Sequence, residues 1–593
     1  MIRIGRIGSV PLRWFGLASL ALVPALCPAI AHAQLPPAGP PGGGFGEADD
    51  KPEGVAEKAP VDLSKLIVPP TLGPWPGEQQ KRFQRFSLGG SFRLRTDWLS
   101  NLHLGFHDQG AGTPFPEPIT CKEGATAGSC DESIGTANLR LRLEPTYHVT
   151  EQVRVMAQLD ALDNVVLGSL SNTTDTTDTT GSTADAMVWR RAWAEVETPL
   201  GLLKFGRMPA HFGLGVQDHS GGDNPFVAAD DPFHRDTKFC LDCDQGDSVD
   251  RVVFSRDIPG TALSVAVGLD WISGGPSAAS TPVWADRSGG QSWDLTDADD
   301  AAQWILVLGR FLDAEAWRDR IEQGRSALSY GVYLKYRTQD ADLTDDTVGG
   351  AAPETLLHAR GLTLYVPDVY VRYGRDDFNF EAEAVAVYGS YADAGNLTPD
   401  GGELTLAQFG GVARANWLLS DDELNLGLEV GFASGDDWEA TNPGETHVSR
   451  LPAFPTGAGD DTASRFAFDS DFQVDLILFR ELLGAVTNAI YVKPSLTYDV
   501  AKLATGTFRF RGQLVGSAAH LPVATPGNEN FYGIELDADV GYYNEDDRFF
   551  FGISYGALLP LAAMDHPSGL FPSEEVGEAT TAQTFQTRLA VRF

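Results

Sequence analysis

The sequence predicts an all-β chain, a single closed, antiparallel, up-and-down transmembrane barrel of about 18 strands, with about 16 to 20 open. Three observations carry that reading. From Phe86 onward, apolar and polar residues alternate with period two, so each run has one apolar and one polar face. Between the runs, tight turns alternate with long acidic loops rich in Gly, Asp and Thr. The last stretch, TFQTRLAVRF, repeats the alternation. Phe585, Thr587, Leu589, Val591 and Phe593 share one side, and Gln586, Arg588, Ala590 and Arg592 share the other. Closure is a physical requirement, because lipid offers no partner to an unpaired backbone edge.

The front of the chain sets the compartment. Arg3, Arg6 and Arg13 precede an apolar core, Trp14 to Leu26, that is short for a membrane span, and Ala31-His32-Ala33 offers a small-residue cleavage site. Residues 1–33 are therefore expected to be a secretory signal cleaved before Gln34. Residues 34–85 are rich in Pro and Gly (LPPAGPPGGG, then IVPPTLGPWPG) and are expected to form a flexible periplasmic tail. Residues 86–593 are assigned to the barrel. None of them forms a run of about 18 uncharged apolar residues, which excludes a bundle of spanning helices.

The strands follow in order. FSLGGSFRLRTDWL sets Phe92, Leu94 and Trp98 against Arg93, Arg95 and Asp97. ANLRLRLEPTYHV sets Leu139, Leu141 and Leu143 against Arg140, Arg142 and Glu144. ALSVAVGLDWI and ELNLGLEVGF alternate in the same way, placing Asp270 and Glu429 on the polar side. Strand starts are expected near residues 86, 136, 152, 186, 201, 248, 262, 302, 327, 361, 378, 404, 424, 489, 506, 532, 548 and 584. One turn departs from the pattern: DAEAWRDRIEQG, residues 313–324, reads as a short helix with Trp317 and Ile321 on one face. Residues 435–488 leave two readings open. The apolar run from Asp475 to Asn488 is either an extracellular loop folded into the barrel or part of an extra strand pair.

Composition excludes some functions. With 44 Lys+Arg against 81 Asp+Glu and a formal charge of −37, the chain is unsuited to nucleic acid and suited to attracting cations. Divalent cations at the acidic loops are accordingly candidate partners. Cys121, Cys130, Cys240 and Cys243 would remain after cleavage, an even number in an oxidising compartment. Pairing of Cys121 with Cys130 and of Cys240 with Cys243 is expected, and His234 with Cys240 and Cys243 keeps a zinc alternative open.

Two stretches carry a family resemblance. Arg190 to Pro209, RRAWAEVETPLGLLKFGRMP, is similar to a bacterial porin hairpin in which an Arg-aromatic strand turns at Gly and returns to Gly-Arg. The ending Phe585, Leu589, Val591 and Phe593 resembles the closing strand that the outer-membrane barrel-assembly machinery recognises. The chain as a whole looks like the porin-like barrels of myxobacteria and related Gram-negative bacteria. That resemblance implies an outer-membrane location among lipid and lipopolysaccharide, and a passive channel for small hydrophilic solutes without a cofactor.

If apolar faces meet lipid, polar faces line the lumen. Arg93, Arg95, Arg140, Arg142, Arg154, Arg588 and Arg592 then form a basic arc on four adjacent strands, with Glu381 and Glu383 about halfway round. Local pairing, such as Arg509 and Arg511 beside Glu535 and Asp537, is the plainer arrangement. The chain has no zinc-protease helix, phosphate loop or dinucleotide fingerprint, so no catalytic residue is assigned and no enzyme is expected. The competing reading is a structural or surface-adhesion barrel whose interior is plugged by its loops.

Overall fold

The computed structural model describes residues 85–105, 132–167, 187–222, 246–272, 283–284, 293–294, 300–346, 354–393, 402–420, 422–436, 461–503, 505–544, 548–565 and 578–593. The strands are β1 (Phe86–Ser100), β2 (Ser133–His148), β3 (Val153–Val166), β4 (Val188–Thr198), β5 (Gly201–Pro209), β6 (Ser248–Asp257), β7 (Ser264–Ile272), β8 (Ala301–Arg310), β9 (Ala327–Gln339), β10 (Leu362–Arg375), β11 (Phe378–Tyr391), β12 (Leu404–Leu419), β13 (Leu424–Ala433), β14 (Ala489–Leu503), β15 (Gly506–Ala519), β16 (Phe531–Asn544), β17 (Phe549–Pro560) and β18 (Ala582–Arg592). Each pairs antiparallel with its chain neighbours, and β1 pairs with β18, which closes an 18-strand barrel. No strand starts more than three residues from its expected position.

The closing seam shows how side chains fix it. Phe593 exchanges two backbone hydrogen bonds with Gly90, at 3.0 and 3.1 Å. Its ring covers Gly90, where a Cβ would come within 2.7 Å of it, so this site needs glycine. Phe585, Val591 and Phe593 point outward and are exposed, with Leu589 half-buried on the same face.

The outer face is apolar. Val252, Val267, Leu306, Leu334, Val369, Leu428, Val430, Val492, Leu514 and Leu536 are all exposed. Aromatic residues flank this band at both strand ends, with Phe378 against Trp417 at 5.2 Å, Phe508 against Tyr542 at 4.9 Å, and Tyr336 against Tyr365 at 5.0 Å. Aromatic girdles bounding an apolar belt are what two lipid–water interfaces require.

The helix expected after β8 is α1 (Ala314–Glu322). Asp313 caps it, accepting the Ala316 N–H at 2.6 Å. Trp317 is buried, with the Arg372 guanidinium 3.8 Å over its ring. Of residues 435–488, the described part from Asp461 does not form the extra strand pair. Its regular structure is the two-residue strand Thr462–Ala463, an Ala467–Thr487 bridge and a π-helical turn, Leu478–Leu482. The expected signal, the tail up to residue 84, and Cys121, Cys130, Cys240, Cys243 and His234 lie outside the described residues.

Candidate functional site: two inward segments in a charged barrel

Two segments leave the long-loop end and fold into the barrel. The first, residues 210–222, continues from β5. Phe212, Leu214 and Val216 are buried, and the Phe212 ring lies 5.3 Å from Tyr333 and 6.4 Å from Tyr370 on the inner wall. Gly213 and Gly215 take positive φ, +57° and +84°, which turns the amides of Leu214, Gly215 and Val216 toward one point. Glu383 on β11 occupies it. Its carboxylate accepts from Leu214, from Gly215 at 3.1 Å and from Val216 at 3.0 Å. Consecutive amides converging on an anion form a nest. A side chain at Gly213 would meet Glu383 at 2.5 Å.

The second segment, residues 465–487, is held in the same way on another side of the wall. Glu535 on β16 accepts the N–H groups of Leu476 at 2.9 Å, Ile477 at 2.8 Å and Leu478 at 2.9 Å. Gln513 donates to the Val474 carbonyl at 3.0 Å, and the Phe479 ring lies 5.8 Å from that of Tyr491. Asp475 turns back to accept the Phe479 N–H at 3.0 Å. Burial and the nearby Asp537 charge push the Asp475 carboxyl up to about 7. The two segments meet where Asp469 donates its N–H to the Val216 carbonyl at 2.8 Å.

Around them the wall is charged. Arg93 is buried and stands opposite Arg140 on β2, while Arg95 stands opposite Arg588 on β18. Arg592 is half-buried opposite Ser91. The expected basic arc is corrected in one respect: acids lie among its arginines. Asp160 takes Arg142 at 2.7 Å and Arg190 at 3.0 Å, Asp97 takes Arg588 at 3.0 Å and Arg95 at 3.1 Å, and Glu195 takes Lys204 at 2.7 Å and Arg154 at 2.6 Å. Glu381 and Glu383 do not face these arginines across open lumen either. Glu381 is buried between Arg372 at 3.5 Å and Arg414 at 3.4 Å, and Glu383 serves the first segment.

Sequence reasoning missed the first segment and the role of Glu383 and Glu535, named there as a lumen acid and an arginine partner, in holding these segments. One signal was present: Phe212, Leu214 and Val216 continue a period-two apolar pattern beyond Pro209, where a solvated loop would lose it.

No family model and no curated protein sequence matches this chain. Among solved structures, similar folds include OccK11 (OpdR) of Pseudomonas aeruginosa, at 10% identity and TM-score 0.41, covering 85% of this chain and 96% of that one. A BenF-like porin of Pseudomonas fluorescens follows at 9% identity and TM-score 0.40, covering 85% and 98%. OpdK of Pseudomonas aeruginosa, solved with vanillate, has 10% identity and TM-score 0.39 with the same coverage.

Proposed function

We propose that the protein is an outer-membrane channel through which small hydrophilic solutes diffuse passively along a charged interior. The observation that carries this reading is the division of the barrel wall. On β13, Leu428 and Val430 are exposed on the outside, while Glu429 between them points inward to Lys493 at 2.8 Å. A wall so divided suits lipid outside and polar solute inside. Arg93, Arg95, Arg140, Arg142, Arg154, Arg588 and Arg592 are the residues we assign to the solute path, and the two inward segments set its bore. The ending Phe585, Leu589, Val591 and Phe593 is assigned to barrel assembly.

A second reading, a plugged structural or adhesion barrel, is favoured by the complete burial of Ile477 and Leu482 in the second segment. Liposome swelling in sugars, amino acids and anions of graded size separates the two. Swelling that slows with solute size supports the channel. Absence of swelling with every solute, from liposomes carrying folded protein, supports the plug.

A further inference from the structure

The two inward segments bring together a set of side chains outside the arginines assigned to the solute path. His219 comes from the first, Asp469 and Asp471 from the second, and one ligand atom from each lies within 4.8 Å of the others. The backbone fixes this arrangement through contacts of its own. Asp469 donates to Val216 at 2.8 Å, Gly246 donates to Asp471 at 2.8 Å, and His219 donates its amide N–H to Asp247 at 3.1 Å. His219 itself is buried.

The charges converging here are a second observation. The Asp247 carboxyl lies against that of Asp469, and Asp218 acts on Asp247 as well. Lys335, at 2.6 Å from Asp218, answers one of them. Carboxylates gathered in a poorly hydrated interior repel one another unless they share a proton, as Asp247 and Asp469 do through their hydrogen bond, or a cation lies among them.

We propose that His219, Asp469 and Asp471 form a divalent-metal site that clamps the two inward segments together. One imidazole nitrogen with two carboxylate oxygens suits the borderline ion Zn²⁺, or Mn²⁺ as a harder first-row ion that takes mixed nitrogen and oxygen ligands, better than Ca²⁺ or Mg²⁺, which favour oxygen alone. The Gly221 N–H reaches His219 Nδ1 at 3.1 Å. A metal on Nε2 needs the ring proton on Nδ1, so binding displaces that amide and reshapes the turn after His219.

The test uses the full chain, folded in detergent and stripped with chelator, then titrated with Zn²⁺, Mn²⁺ or Ca²⁺ alone while bound metal is counted. The expected result is one equivalent of Zn²⁺ or Mn²⁺, with Ca²⁺ bound at least about 10-fold more weakly. His219→Gln and Asp471→Asn should each weaken binding by about 10-fold or more while the folded barrel's gel mobility persists. Asp469→Asn makes the same test should His219→Gln fail to fold. Replacing Cys240 and Cys243 by Ser should leave this binding intact, which separates it from a cysteine site. Absence of stoichiometric Zn²⁺ and Mn²⁺ binding by the wild type overturns the proposal. So does binding that survives the His219 and Asp469 substitutions.

Discussion

Ile477 donates its backbone N–H to Glu535 at 2.8 Å, and both residues are buried inside the barrel. Leu476 and Leu478 give theirs to the same carboxylate, and Glu383 repeats the arrangement for residues 214–216. A buried amide left without its acceptor costs about 1–3 kcal/mol, so these two wall residues anchor residues 214–216 and 476–478. Glu535→Ala is expected to release the second segment, raise single-channel conductance and expose residues 470–487 to protease. Glu383→Ala should do the same for residues 210–222. A folded Glu535→Ala barrel with wild-type conductance and protection would show that packing alone keeps the segment in place.

Arg251 and Asp270 pair at 2.6 Å with neither exposed, and Tyr333 accepts from Arg251 at 2.8 Å. Arg251→Met leaves Asp270 a buried charge and should cost about 3–5 kcal/mol, read as a lower unfolding temperature. Adding Asp270→Leu should recover much of that loss. The exposed pair Arg207–Asp250 is the control, since Arg207→Met should cost less than about 1 kcal/mol.

Asp475 supplies a pH dependence whose sign can be worked out. Its carboxyl is pushed from 3.8 to about 7, by burial first and then by the Asp537 charge; the Phe479 and Arg480 amides and Lys493 oppose the shift. Glu535 also faces it from β16. A raised carboxyl favours the folded segment while protonated. That contribution is complete below pH 3.8 and fades as pH rises through about 7. Protease protection of the second segment should therefore fall between pH 4 and pH 7 in the wild type, and stay flatter in Asp475→Asn. Protection that rises with pH would reverse the sign and contradict this account.

Selectivity should follow the arginines more than the glutamates. Arg93→Ser with Arg140→Ser removes two like charges that stand side by side, and should move the reversal potential toward cations at low salt. Glu381→Gln weakens the acceptor that Arg372 and Arg414 share and leaves those two cations uncompensated, so its main effect should be lower stability. A selectivity shift from Glu381→Gln larger than from the arginine pair would place the narrow point on β11.

The strands were legible because period-two alternation and short turns are local signals. The ion pairs were not, because a lumen face reads only as polar, and register decides who meets whom. Arg509 and Arg511 illustrate this. The sequence suggested Glu535 and Asp537 as partners, yet Arg509 stands opposite Asp499 on β14 and pairs with it at 2.6 Å. Arg511 stands opposite Asp539 on β16 and pairs at 2.8 Å. Glu535 is thereby left to hold the second segment. Its role depends on a loop arriving from elsewhere in the chain, and no spacing along β16 encodes that. The apolar run from Asp475 was legible as a segment needing cover, because so much apolar surface does not stay bare in water.

The central claim is that the barrel conducts, and planar-bilayer recording of the folded, full-length protein tests it most directly. The account predicts stable open-channel steps that enlarge when Glu535 is replaced by Ala. Persistent silence from correctly folded protein, in the wild type and in Glu535→Ala alike, would contradict it.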